Sequence, residues 1–76
     1  MKSLGELLTT NPEVMGGQAV FKGTRVPLAA LLDYLAGGDP LEDFLTDFPG
    51  VTRDVATAVI AALGAEADRA LHAAAS

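Results

Sequence analysis

The sequence contains no cysteine and a single histidine, His72. The lack of cysteine excludes disulfide bonds and thiolate ligands, and a structural zinc site needs three or four Cys or His ligands that this chain cannot supply. A Ser–His–Asp or Cys–His catalytic set is equally excluded, because His72 stands alone near the C-terminus. We therefore expect a protein that is not an enzyme and uses no metal or other cofactor.

Long apolar runs are also missing. No uncharged apolar stretch approaches the roughly 20 residues that a membrane-spanning helix needs. Lys2 is not followed by the apolar segment of a signal peptide, since Glu6 and the polar residues 9–12 interrupt it. The absence of cysteine fits a reducing compartment. The sequence thus predicts a cytoplasmic protein with no membrane partner.

Basic residues are scarce. Five Lys and Arg stand against ten Asp and Glu, which gives a net charge of −5. This charge opposes binding to phosphate backbones, because Lys and Arg must replace the counterions there. It favours a basic partner, but acidic charge also keeps a small protein soluble, and charge alone favours that simpler interpretation.

Aliphatic and small side chains are what the sequence has in abundance. Half of the 76 residues are hydrophobic, whereas only 5% are aromatic. Such a mixture favours helices that pack closely through small side chains. The length allows one domain, close to the lower limit for a self-sufficient core. Because small chains without disulfides or metals often gain stability by association, we expect a homodimer.

Residues 1–26 are predicted to form an N-terminal arm and a short β-hairpin. The first apolar residues (Leu4, Leu7 and Leu8) fit either a helical turn or an edge strand. Glycines then bracket the β-prone residues 18–22, which indicates a small hairpin or a pair of brief strands. A two-stranded hairpin is marginal alone, so it must pack on the helices or pair with a second copy along an edge near Val20.

Residues 27–63 are predicted to form three helices. The first opens at Pro27 and ends at Gly37-Gly38, and its apolar face comprises Leu28, Leu31, Leu32 and Leu35. The second is predicted to start with Asp39 as N-cap and to end at Pro49-Gly50, and its apolar stripe comprises Leu41, Phe44, Leu45 and Phe48. The third is capped by Thr52 and turns Val55, Val59, Ile60 and Leu63 inward. Residues 64–76 either continue this helix or fray.

The richest motif is residues 16–27, Gly-Gly-Gln-Ala-Val-Phe-Lys-Gly-Thr-Arg-Val-Pro. It lacks the Gly-Lys-Ser/Thr ending of a phosphate loop, so turn chemistry explains its glycines and Pro27. Arg25 is different, because a guanidinium in a tight turn usually has a fixed acceptor. We expect that acceptor to be an internal carbonyl, a carboxylate such as Asp47, or a partner.

With this motif the chain closely resembles a small bacterial family, domain of unknown function four-three-three. The resemblance covers about residues 11–63 in the right order and spacing. Ala19 and Leu28 depart from the proline and valine usual in the family, and both changes affect packing only. The matching residues are Pro12, Glu13, Gly16, Gly17, Gly23, Thr24, Arg25, Pro27, Gly37, Gly38, Phe48 and Pro49.

The resemblance implies a mainly α fold, a three-helix homeodomain-like (helix-turn-helix) core preceded by a short β-hairpin. It also implies a type II antitoxin similar to the VapB group, whose partner would be a basic, PIN-like ribonuclease toxin. In such systems the antitoxin often also binds operator DNA. The alternative is a DNA-binding transcriptional regulator without a toxin partner.

The candidate DNA-binding residues are few. At the start of the third helix, Thr52, Arg53 and Thr57 are the residues that a recognition helix presents to base edges. Lys22 and Arg25 add backbone contacts if a dimer brings two hairpins together. The carboxylates near Asp43 and Asp47 are better explained as a solvated helix face than as an acid–base pair or a cation site, because they have no basic or histidine companion.

Overall fold

The structure is a computed structural model that describes residues 2–13 and 15–75. One helical turn and a strand come first, α1 (Leu4–Leu7) and β1 (Leu8–Thr10). A 3-10 turn (Met15–Gly17) leads into β2 (Ala19–Phe21), and three helices follow: α2 (Leu28–Ala36), α3 (Leu41–Asp47) and α4 (Arg53–Ala75). The prediction of a mainly helical chain with an N-terminal two-stranded hairpin is therefore confirmed.

The hairpin pairs β1 with β2 in antiparallel register, with Thr9 opposite Val20. The first apolar residues were expected to form either a helical turn or an edge strand. Leu4 and Leu7 lie in the helical turn α1, and Leu8 begins the strand β1. The expectation of an open edge at Val20 is wrong. Val20 is 1% exposed and lies between Thr9 and Pro27, to which it is joined by an isolated bridge. The outer edge of the sheet belongs to β1.

The helix ends follow the sequence signals with two exceptions. Thr52 caps α4 as predicted, because its hydroxyl accepts a hydrogen bond from the backbone N–H of Val55 at 3.2 Å. Asp39, however, is not the N-cap of α3, since Pro40 occupies that position and no side chain caps the helix. Pro27 likewise lies at the N-cap of α2, so this helix begins at Leu28, one residue after the predicted start. After α2, Gly38 adopts the left-handed conformation (φ +81°) while Gly37 stays right-handed.

The core lies between the hairpin and helices α2, α3 and α4. Its largest fully buried side chains are Phe21 from β2, Leu31 from α2, Phe44 from α3 and Val59 from α4. The rings of Phe21 and Phe44 are 6.1 Å apart, and Phe48 lies 5.1 Å from Phe44. One aromatic cluster therefore joins strand and helices into a single hydrophobic core.

Three residues predicted to face the core are substantially exposed: Leu32 (43%), Leu35 (39%) and Ile60 (38%). Successive residues of a helix point about 100° apart, so only a narrow stripe of side chains on each helix packs against the neighbouring elements. On α2 that stripe runs through Leu31, and on α4 it runs through Ala56, Val59 and Ala62. The predicted apolar faces were wider than the contact surface.

Helix α4 continues without a break through Gly64 to Ala75, which settles the choice between helix and frayed tail. Its 23 residues give a length of about 35 Å at about 1.5 Å per residue. The molecule measures 41 Å along its longest axis, so α4 spans most of it. None of the helices in the described part of the chain combines the length and hydropathy that a membrane span requires.

Candidate interaction surfaces

The turn between β2 and α2, residues 22–26, is held in one conformation by hydrogen bonds at both ends. The Thr24 hydroxyl donates to the Phe21 carbonyl at 2.8 Å and accepts from the Val26 N–H at 3.0 Å. Phe21 N–H in turn donates to the Val26 carbonyl at 2.9 Å. Gly23 closes the turn with φ +76°, which glycine adopts without steric cost. We call residues 22–26 the basic turn, after Lys22 and Arg25.

Both cations of the basic turn are exposed. Within residues 2–13 and 15–75, neither Lys22 nor Arg25 makes a side-chain hydrogen bond or an ion pair. Two of the three alternatives for the acceptor of Arg25, an internal carbonyl and Asp47, are therefore not found among the described residues. Asp47 accepts a hydrogen bond from the Tyr34 hydroxyl instead.

The basic turn lies beside the turn that joins α3 to α4. A methyl group on Gly50 would stand 3.8 Å from the Thr24 Cγ2 methyl, so the two turns lie close to each other. The start of α4 follows three residues later, at Arg53. Consequently, the structure brings Lys22 and Arg25 to the same end of the molecule as the beginning of α4.

The residues at the start of α4 are partly engaged already. The Thr52 hydroxyl caps the helix, and Arg53 Nη2 lies 2.9 Å from Glu42 Oε1 on α3. The pKa of Glu42 is lowered, first by a hydrogen bond from its own backbone N–H and then by Arg53. Thr57 is exposed. Of the five candidate DNA-binding residues, Arg53 thus has its charge balanced by a neighbouring carboxylate.

A shallow depression opens between the end of α2 and α3, with a volume of about 490 Å³. We call it the acidic pocket. It is lined by Tyr34, Asp39, Asp43, Thr46 and Asp47. The hydrogen bond that the Tyr34 hydroxyl donates to Asp47 raises the pKa of Tyr34, because it favours the protonated phenol. In the described chain, none of the three aspartates forms an ion pair with a cation.

The predicted solvated acidic face is thus a concave surface with an aromatic wall. Sequence reasoning missed Tyr34, because it lies 13 residues from Asp47 on another helix and no helical spacing relates the two. Among the described residues, no group of three or more His, Cys, Asp or Glu has the arrangement to hold a metal ion. What the pocket offers is three carboxylates that a cationic group on another molecule can approach.

The C-terminal part of α4 has almost no packing partners. Residues 66–74, which we call the arm, are all exposed, and Leu71 is 69% exposed. Glu66 forms an ion pair with Arg69, and His72 Nδ1 lies 2.7 Å from the Asp68 carbonyl oxygen. Ile60, Gly64, Ala67 and Leu71 follow a spacing of four, three and four residues, so they share one face of the helix. This exposed face is apolar along its whole length.

The motif that carried the family resemblance lies mainly in turns around these surfaces. Gly16 and Gly17 lie in the 3-10 turn, and Gly23, Thr24 and Arg25 lie in the basic turn. Pro27 is the N-cap of α2, and Pro49 lies between α3 and α4. The family described as "Protein of unknown function (DUF433)" matches residues 8–61, which is most of the chain. The protein belongs to this family. Neither the curated proteins nor the solved structures contain a significant match to the chain.

Proposed function

We propose that this protein is a homodimeric antitoxin that binds and neutralises a basic toxin, a PIN-like ribonuclease, through the arm of α4. The observation that carries the proposal is the state of the arm: an intact helix whose nine residues 66–74 are all exposed, Leu71 among them. Fully burying a leucine side chain stabilises by about 1.5–3 kcal/mol. A groove on a partner that accepts this face would gain that stabilisation, as in other helix-in-groove complexes.

Charge supports a basic partner. The chain carries a net charge of −5, and its two described ion pairs use two of only five basic residues. On the arm, Arg69 is balanced by Glu66, which leaves Asp68 as the uncompensated charge beside the apolar face. A positively charged surface would be steered towards this molecule. The family resemblance gives the partner class, the PIN-like ribonucleases that pair with VapB-like antitoxins.

A direct test is calorimetric titration of the protein into the PIN-like protein encoded by the neighbouring reading frame. We expect binding together with loss of ribonuclease activity. Leu71→Glu should weaken that binding by roughly tenfold or more, because the charge prevents burial of the side chain. Leu32→Glu serves as the matched control, since Leu32 is an exposed leucine on a different helix, α2. Equal losses from both variants, or no binding by the wild type, would contradict the proposal.

Operator DNA binding is a second role, supported by one feature. A short turn, residues 48–52, joins α3 to α4, and the first residues of α4 are exposed, in the manner of a helix-turn-helix. The ion pair between Arg53 and Glu42 and the neighbouring Asp54 weaken the attraction for phosphates. We therefore propose that DNA binding is weak for the protein alone and is strengthened by the basic toxin.

Gel-shift titrations on the upstream region, with and without the toxin, test this second role. The expected result is a specific shift only when the toxin is present, and a weaker one for Arg53→Ala. Nanomolar binding by the protein alone at physiological salt would show that α4 is an independent DNA reader. No shift under either condition would leave the α3–α4 pair as a scaffold.

A further inference from the structure

The apolar face of α4 continues beyond the four residues described above. Exposed residues without a charge recur at alternate steps of three and four: Thr57, Ile60, Gly64, Ala67, Leu71 and Ala74. We call these six residues the seam, because this spacing keeps them on one side of the helix, as in a coiled coil. The core is reached from another side of α4, through Ala56, Val59 and Ala62.

We propose that the seam pairs with the seam of a second copy of the chain, with the two helices antiparallel. The inference rests on the homodimer of the proposed function and gives the toxin-binding arm a second occupant. In the free protein, the arm of each copy lies along residues 57–65 of the other. The toxin and the second copy then compete for Leu71, so that toxin binding displaces the dimer.

The order of side chains along the seam fits a pairing with itself. In the antiparallel register that overlaps all six positions, the two-fold axis passes between Gly64 and Ala67. Gly64 of one copy then faces Ala67 of the other, and Ile60 faces Leu71. Crossing helices approach most closely where their side chains are small, and larger side chains fill the space on either side as the axes diverge. The two small residues lie at the centre of the seam, and the two large ones flank them.

The exposure of the large seam residues supports a covering partner. Leu71 is 69% exposed and Ile60 is 38% exposed in the single chain. Antiparallel pairing places these two side chains against each other twice, once on each side of the two-fold axis. It also gives the arm tertiary contacts, and a helical segment as short as the arm is marginal in water without them.

Charge favours the antiparallel arrangement over the parallel one. Residues 1–56 contain eight of the ten acidic residues, whereas residues 57–65 contain no charged residue. A parallel pair would bring the two acidic regions side by side, where they repel each other. An antiparallel pair places them at opposite ends of the seam. Each arm, which contains Glu66 and Asp68, then lies along the uncharged part of the other α4.

Sedimentation equilibrium on the full chain measures the dimer dissociation constant. The seam is only about 27 Å long, so we expect a value on the order of micromolar, as for small interfaces. Ala67→Glu should raise it by about tenfold or more, because a charge at the centre of the seam is costly to bury. Ala73→Glu is the matched control, since it adds the same charge to the arm on another side of the helix and should leave the constant unchanged. Circular dichroism melts verify that both variants are folded.

Cysteine cross-linking tests the orientation, because the chain contains no cysteine of its own. Ala67→Cys lies near the two-fold axis and should form a disulfide between the two copies under mild oxidation. Ala74→Cys should not, because in the antiparallel pair it lies roughly 25 Å along the helix axis from the same residue of the second copy. A parallel pair would cross-link through both positions.

The competition has its own measurement. The cross-linked Ala67→Cys dimer should bind the toxin at least about tenfold more weakly than the same variant after reduction, because its two arms cover each other. Equal binding by the two forms would show that the toxin and the second copy occupy different surfaces, and it would overturn the competition.

The outcomes separate this inference from the proposed toxin binding. A wild-type chain that remains monomeric at tens of micromolar overturns the inference, as does a dimer that Ala67→Glu leaves unchanged or that cross-links through Ala74→Cys. A monomeric chain whose toxin binding is lost in Ala67→Glu assigns the seam to the toxin alone and also overturns it. An intact seam dimer that binds no toxin contradicts the proposed function and leaves the dimer in place.

Discussion

The two halves of α4 remain helical for different physical reasons. Up to Leu63 the helix is held by tertiary packing, since Ala56, Val59 and Ala62 are buried in the core. Beyond Gly64, residues 66–74 are exposed, and the helix depends on the high helix propensity of its alanines and on the Glu66–Arg69 ion pair. Isolated helices of this length are marginal in water. The first half therefore contributes to the core, whereas the second half contributes little to it.

The largest expected effect comes from the core. Phe44→Ala should lower the free energy of unfolding by about 3–5 kcal/mol, because Phe44 is fully buried and contacts three other aromatic rings. Leu71→Ala should change it by less than about 0.5 kcal/mol, as for most exposed positions. Urea denaturation followed by circular dichroism measures both. A similar loss for the two variants would mean that the arm is part of the core after all.

A smaller effect is expected in the basic turn. Gly23 has φ +76°, and an L-residue in that conformation costs roughly 1–2 kcal/mol. Gly23→Ala should reduce stability by that amount, and the cause is backbone strain alone, because a Cβ at Gly23 meets no atom within 4 Å. Lys22→Ala is the control in the same turn, and its midpoint of urea denaturation should not move. An unchanged midpoint for Gly23→Ala would show that the turn is not rigid.

The sequence predicted the parts of this fold that depend on local chemistry. Glycines and prolines placed the turns correctly, and Thr52 was identified as the cap of α4 because a threonine before an apolar-periodic segment has few other roles. Features set by packing between elements were not predictable in this way. The exposure of Ile60 depends on where α4 meets its neighbours, and the Tyr34–Asp47 bond joins two helices whose relative position no spacing reveals.

The candidate site residues also divide into features that local sequence determines and features that packing between elements determines. The motif predicted the rigid turn that holds Arg25, because its hydrogen bonds connect neighbours such as Thr24 and Val26. It did not predict that Arg25 lacks an internal acceptor, since that depends on the distant surroundings of Asp47. The alanine-leucine composition of residues 64–76 allowed either a helix extending from α4 or a frayed terminus, and composition alone could not decide between them, because alanine-rich helices occur both in cores and on surfaces.

Gly64 lies at the junction between the two halves of α4, and its replacement should strengthen the arm. Glycine in a helix interior costs about 1 kcal/mol relative to alanine, and a Cβ at Gly64 meets no atom within 4 Å. Gly64→Ala should therefore raise stability by up to about 1 kcal/mol and increase helical ellipticity. The matched variant Ala67→Gly should do the reverse. Loss of stability in Gly64→Ala would indicate that the junction must bend.

The smallest expected effect is the pH dependence of stability that arises where Glu42 on α3 meets Arg53 on α4. The pKa of Glu42 is lowered by a hydrogen bond from its own backbone N–H and by Arg53. A carboxyl whose pKa is lower in the folded state than in the unfolded chain stabilises the fold above its unfolded pKa, and this contribution disappears as the pH falls through the folded pKa. Both side chains are more than half exposed, so solvent screens the pair and the change in stability is small.

Carbon-detected NMR titration should show the Glu42 carboxyl titrating below the ordinary value of 4.5, and Arg53→Ala should move it part of the way back. Because the backbone hydrogen bond is the larger cause, a return to the full ordinary value in Arg53→Ala would assign the whole shift to the ion pair and contradict that order.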